Sequence, residues 1–155
     1  MPEPTREDAG IYIKLLDISQ SGAQAEARRW VLGDFKCASY EELNAKHAVG
    51  SVERTYLTSV MAFFESVGVL VSRGLLNEDV FFDAPLGFEM LWPMVKHIIA
   101  DWQTGAGDPA AWENVQWLGI RMDSWKEQSW KSKLEAIPPD RPPEKVEPAI
   151  RGFQH

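Results

Sequence analysis

The chain is predicted to be all-α, a compact bundle of about five to six helices, and three observations carry that prediction. Six helix-start signals are spread along the chain. Three long segments carry apolar residues at steps of three and four. No convincing stretch alternates apolar and polar residues, as a half-buried strand would.

Thr5 opens the first helix in "TRED", with acids in the first turn, where the positive end of the helix dipole favours them. Ser21 with Gln24 in "SGAQ", and Ser39 with Glu42 in "SYEE", have the spacing of capping boxes, in which two side chains satisfy free backbone N–H groups reciprocally. Ser51 opens "SVERTYL", and the segment it starts places Val52, Tyr56, Val60, Phe64, Val67 and Val71 on one face. Gly74 is a stop signal for it. Asn77 opens "NEDVFF", with Leu76 and Phe81 spaced as a hydrophobic staple.

Residues 83 to 88, "DAPLGF", read as a turn. Pro93 would break a helix begun at Leu86, so the next helix is expected to start near residue 90, with Pro93 in its first turn. Its stripe is Leu91, Val95, Ile98 and Trp102. The glycines of "TGAGD" (104 to 108) end it, and Asp108-Pro109 is expected to cap and begin the last helix after a tight reversal. Five of the ten prolines fall in "PPDRPPEKVEP" (138 to 148), which is incompatible with a helix. The expected organisation is a helical domain over 1–136 and a flexible, disordered proline-rich tail over 137–155. Pro139 and Pro142 give the tail a P-x-x-P spacing, which fits a polyproline docking segment or an inert spacer.

The stretch "WENVQWLGIRMDSWKEQSW" (112 to 130) holds four of the seven tryptophans. At about 100° per residue, Val115, Leu118, Met122 and Trp125 fall within roughly 80° of one another, the core stripe. Trp112 and Trp130 lie at its border, and Trp117 and Ile120 point to the opposite side. An apolar second face is either buried under the domain's own elements or presented to a partner. Trp117, Ile120 and Trp130 are therefore the candidate interaction residues.

Composition narrows the function classes. A net charge of −7 disfavours phosphate backbones, and Arg28-Arg29 is the only concentrated basic pair, so nucleic acid is not an expected partner. The single cysteine, Cys37, forms no internal disulfide, and "MPEPTREDAG" lacks the basic start and apolar run of a signal peptide. The apolar window "VMAFFESVGVLV" is short of the roughly 20 residues a bilayer span needs and contains Glu65. A cytoplasmic protein without membrane insertion is expected.

Chemistry-bearing constellations are sparse. No Glu-x-x-His pair, G-x-S-x-G elbow, phosphate-binding loop or dinucleotide fingerprint occurs, and no cofactor or metal is expected. His97 and Asp101 are four apart and can share a helix face, one ligand pair where zinc needs three protein ligands. Cys37, beside Lys36, would be a nucleophile only if His47 meets it in space; otherwise it is an inert buried thiol. Arg28 and Arg29 could hold an anion or serve a solvated face. Glu78, Asp79 and Asp83 fit dipole partners of a short helix better than an acid/base pair.

"EARRWV", "VMAFFESVGVLVSRGLLNEDVFFD", "WPMVKHII" and "GDPAAWENVQWLG" together resemble a bacterial family of small helical proteins known only as a domain of unknown function. The likeness covers roughly residues 10 to 125 and is strongest in "FFESVGVLVSRGLLNED". It implies an all-helical fold and a bacterial origin. Many members look membrane-anchored through an N-terminal spanning helix, and this chain is expected to depart from that pattern. The family carries no assigned catalytic residues to transfer.

The expected function is therefore non-enzymatic: an interaction, regulatory or accessory domain that binds a protein partner or forms a homodimer. The alternative is a small-ligand binder or enzyme using His97 and Asp101, or Cys37 and His47, in a pocket between helices.

Overall fold

The computed structural model describes residues 2–136. They form seven helices: α1 (Arg6–Ser19), α2 (Gly22–Gly33), α3 (Tyr40–Lys46), α4 (Val52–Ser72), α5 (Glu78–Asp83), α6 (Phe88–Ala106) and α7 (Glu113–Glu135). No strand occurs among the described residues. The predicted tail, with Pro139 and Pro142, lies outside them.

Local capping explains most of the helix starts. Five of the six start residues, Thr5, Ser21, Ser39, Ser51 and Asn77, occupy N-cap positions. Thr5 and Asp8 form the complete reciprocal box, with the Thr5 N–H donating to Asp8 at 2.7 Å and the Asp8 N–H to the Thr5 hydroxyl at 3.2 Å. Ser39 accepts from the Glu42 N–H, but Glu42 reaches one residue further, to the Ala38 N–H, so only half of that box forms.

Two expectations need correcting. Ser21 stands at the N-cap but its side chain forms no capping box: its hydroxyl donates back to the Asp17 carbonyl, and Gln24 instead accepts from Ser59 on α4 at 3.2 Å. Asp108 and Pro109 do not begin α7. Asp108 accepts from the Ala110 N–H at 2.9 Å in a turn, and the helix starts five residues after Asp108, at Glu113. Trp112 blocks an earlier start with its left-handed φ of 58°, a conformation that breaks helical geometry. Its ring meets Trp102 edge-on at 5.4 Å, a contact that holds the strained residue in place.

The α6 boundary also shifts. Gly87, at φ 90°, precedes Phe88, so Pro93 is the sixth helical residue rather than part of the first turn. The backbone bond it removes is the one to Glu89; both residues are exposed, where water can serve the free carbonyl.

α4 is the central element. It packs between α2 and α7, with Leu57, Val60, Met61, Phe64, Val67 and Val71 buried. Val52, placed on the same stripe by spacing, is 61% exposed at the helix's outer end. Each large apolar side chain fully withdrawn from water contributes about 1.5–3 kcal/mol before the entropy of ordering is subtracted. Ser59 against Gln24 and Tyr56 against Glu26 (2.8 Å) show that α2 and α4 run antiparallel. Leu91, Val95, Ile98 and Ile99 of α6 close the core from the other side, and the Phe64 and Phe88 rings meet at 5.0 Å.

Two glycines let α7 come close. A Cβ on Gly119 would lie 2.1 Å from the Trp92 ring, and one on Gly68 would lie 2.6 Å from the Asn114 carbonyl oxygen. A side chain at either place would push α7 off its neighbours.

Candidate functional site

α7 is fixed by side chains from other helices. It has no N-cap of its own. The Glu65 carboxylate of α4 takes that role, accepting from the Asn114 N–H at 3.2 Å and the Val115 N–H at 2.9 Å, the second and third residues of α7. Further along, Arg121 grips Glu78 of α5 through two bonds of 2.7 and 2.6 Å. The Trp125 indole donates to Asp79 at 2.6 Å, and the Trp92 indole donates to Asp123 at 2.9 Å. Glu78 and Asp79 stand in the first turn of α5, as expected of dipole partners, and beyond that expectation they tether α5 to α7; Asp83 is exposed.

Those ties decide the orientation of the tryptophans. Val115, Leu118 and Met122 are buried, while Trp125 is half-buried against Phe82 at 5.6 Å. Trp112 is half-buried too. On the outer side Trp117 is 39% exposed, Ile120 60% and Trp130 64%. Met122 is the last fully buried residue of α7 and Trp125 the last one tied to the bundle; beyond Trp125 the helix runs on to Glu135 and also exposes Leu134.

Trp117 is not isolated. It forms one wall of a groove of about 590 Å³ floored by Val71, Leu75 and Leu76. The opposite wall is the N-terminal segment, pinned there by an Asn77 side-chain N–H donating to the Pro2 carbonyl at 2.8 Å. Asp8 reinforces the corner, accepting from the Asn77 backbone N–H at 2.8 Å. Its carboxyl is held below the usual carboxylate range, first by the Thr5 backbone N–H, then by the Thr5 hydroxyl and Asn77. Leu75, 58% exposed, was missed by sequence reasoning. The adjacent leucines of "RGLLN" carried a signal, since a chain reversing between helices can bury only one of them: Leu76 is inside.

The alternative site residues divide differently from their predicted pairs. His47 sits edge-on to Trp30 at 5.1 Å, and it does not line the cavity that holds Cys37. That open cavity, about 590 Å³, instead joins Cys37 with His97, Lys36 and Lys46. Burial and the Glu42 charge push the Cys37 thiol up, outweighing the pull of Lys46 and Arg54; Lys36 does not enter. The thiolate a nucleophile needs is therefore disfavoured. His97 and Asp101 are both exposed, and no hydrogen bond joins them. Among the described residues no three His, Cys, Asp or Glu side chains converge on a metal position.

Arg28 and Arg29 part company. Arg28 turns inward and donates to the Leu86 carbonyl, holding the turn where Leu86 has a φ of 56°; burial works against its charge. Arg29 stays exposed. Sequence reasoning also passed over Arg54, which is 4% exposed. It lies 4.6 Å over the Trp102 ring and donates to Asn44 and to the His47 carbonyl. This cation cements α3, α4 and α6 and faces no cavity described above.

The sequence matches, over residues 4–122, a family described as a domain of unknown function, DUF4760. The chain belongs to the DUF4760 family. No curated protein and no solved structure matches the chain. The matched region ends at Met122, the last buried residue of α7, and so takes in the bundle, Trp117 and Ile120 but not Trp130.

Proposed function

We propose that this DUF4760 domain is a non-enzymatic protein-interaction domain whose docking surface is the outer side of α7, centred on Trp117 and Ile120 with Trp130 at its edge. One observation carries the reading. A helix tied to its neighbours by charged and indole bonds still leaves the large apolar side chains Ile120 and Trp130 in water, with Trp117 beside an apolar groove. Tryptophan in such a position is typical of interface hot spots.

Self-association is the partner mode tested first. Trp117→Glu and Ile120→Glu are expected to bring the light-scattering mass down to the 17.5 kDa of one chain, with the helical circular dichroism intact. A wild type already at the single-chain mass removes the homodimer. Loss of helix in Trp117→Glu would assign the indole to the core.

The cavity shared by Cys37 and His97 supports a second reading, a small-ligand binder. Stabilisation by a metal or metabolite in a thermal-shift screen, lost in His97→Ala, would favour it. The acidic surface, net −7, argues against nucleic acid. The lone cysteine is in keeping with a cytoplasmic setting.

α4 has the length and mean hydropathy, 1.4, of a membrane-crossing segment. We assign it to the bundle core because eight of its residues, Arg54 among them, are buried between other helices. A bacterial origin follows only from the family likeness.

A further inference from the structure

The groove beside Trp117 and the free end of α7 are opposite in charge, and both carry exposed apolar side chains. In the groove, Asp8 is occupied by Thr5 and Asn77, and Glu78 by Arg121. Glu3 and Glu7 line the same groove and have no hydrogen-bond or ion-pair partner among the described residues. They leave two uncompensated negative charges in a groove that Leu75 and Trp117 also line.

The end of α7 carries the opposite arrangement. Lys126 and Lys133 flank the exposed Trp130 around a shallow depression, and neither lysine has a partner among the described residues. Lys131, by contrast, is paired with Glu127 at 2.8 Å.

We propose that the occupant of the groove is the α7 end of a second copy of this chain, with Trp130 against Leu75 and Trp117, and Lys126 and Lys133 facing Glu3 and Glu7. The two sites lie thirteen residues apart on one helix, about 20 Å at 1.5 Å per residue. A two-fold axis passing beside α7, level with the midpoint between them and perpendicular to the helix, makes the exchange reciprocal and closes the assembly at two copies. A groove of about 590 Å³ has room for an indole with neighbouring aliphatic groups. This inference rests on the interaction reading above and adds the partner and its register.

Charge exchange on the full chain is the test. All four residues are exposed and make no side-chain bond; Glu7 and Lys133 favour the helix ends they stand at, so circular dichroism and the unfolding midpoint of each variant are compared with wild type before the masses are. The double variants Glu3→Lys/Glu7→Lys and Lys126→Glu/Lys133→Glu are each expected to raise the dimer dissociation constant about tenfold by like-charge repulsion. An equimolar mixture of the two is expected to regain dimer, read as the mixed species by native mass spectrometry, because both groove-to-end contacts are then complementary, one as in wild type and one with the charges exchanged.

Trp130→Ala is expected to dissociate the dimer without loss of helix. Dimerisation indifferent to both charge reversals, or a mixture no tighter than either variant alone, overturns this seating. If Trp117→Glu still dissociates the dimer in that case, the α7 interface survives and only the proposed register falls. A wild type that stays monomeric at every concentration overturns the homodimer and this inference together.

Discussion

Glu65 is a charge in the most apolar stretch of the chain, and its position there is explained 49 residues further on, where Asn114 needs a cap. Because α7 starts on a left-handed Trp112, it has no side chain of its own in cap position. Glu65→Ala is expected to cost about 1–2 kcal/mol, a Tm fall of about 2–8 °C in a calorimetric scan. Glu65→Gln, which keeps an acceptor oxygen, is expected to lose less. A Glu65→Ala protein as stable as wild type would show that the cap is dispensable.

Asp8 gives a pH dependence with a definite sign. Its folded carboxyl is lowered, so its stabilising effect is present above the unfolded value of about 3.9 and is lost as pH falls through the folded value. The gap in denaturant midpoint between wild type and Asp8→Asn is expected to be open at neutral pH and to close in acid. Caps within a few residues were legible in the sequence, Thr5 with Asp8 most fully. The cap supplied by Glu65 was not, because spacing rules reach one helical turn and this contact crosses the bundle.

At the level of elements, α7 owes its place to two missing side chains. Gly119→Ala puts a carbon 2.1 Å from the Trp92 ring, and Gly68→Ala puts one 2.6 Å from a backbone oxygen. Each is expected to cost about 1–3 kcal/mol as the helices are forced apart, measured by urea unfolding. Gly10, in α1, has nothing within 4 Å of a built Cβ, and Gly10→Ala is expected to stabilise by about 0.5–1 kcal/mol. Opposite signs for one chemical change separate close packing from helix propensity.

The long helices were legible because burial follows a 3.6-residue period; every stripe residue assigned to α6 is buried. The same period placed Trp117 and Ile120 opposite the core, and their exposure agrees with it. The start of α7 was misplaced because Asp108-Pro109 satisfies a local rule equally well as a turn. The edge-on contact of Trp112 with Trp102, invisible to local rules, decided between the two.

On the scale of the molecule, family membership over residues 4–122 and the helical class were both legible, since each depends on pattern summed over many residues. The groove was not. It is assembled from residues 2–8, the α4–α5 reversal and α7, three segments whose meeting is set by tertiary packing. The Cys37–His47 pairing failed for the same reason: Trp30 claims His47, and the neighbour that shares the Cys37 cavity is His97, sixty residues away.

The central claim is that α7 is bound to its own chain on one side and offers the other to a partner. The most direct measurement is the light-scattering mass of the full chain beside that of Ile120→Glu, because Ile120 is 60% exposed and has no assigned contact with its own core. The expected result is a wild type near twice the single-chain mass of 17.5 kDa and a variant near that single mass, both fully helical. Equal masses for the two proteins would contradict it.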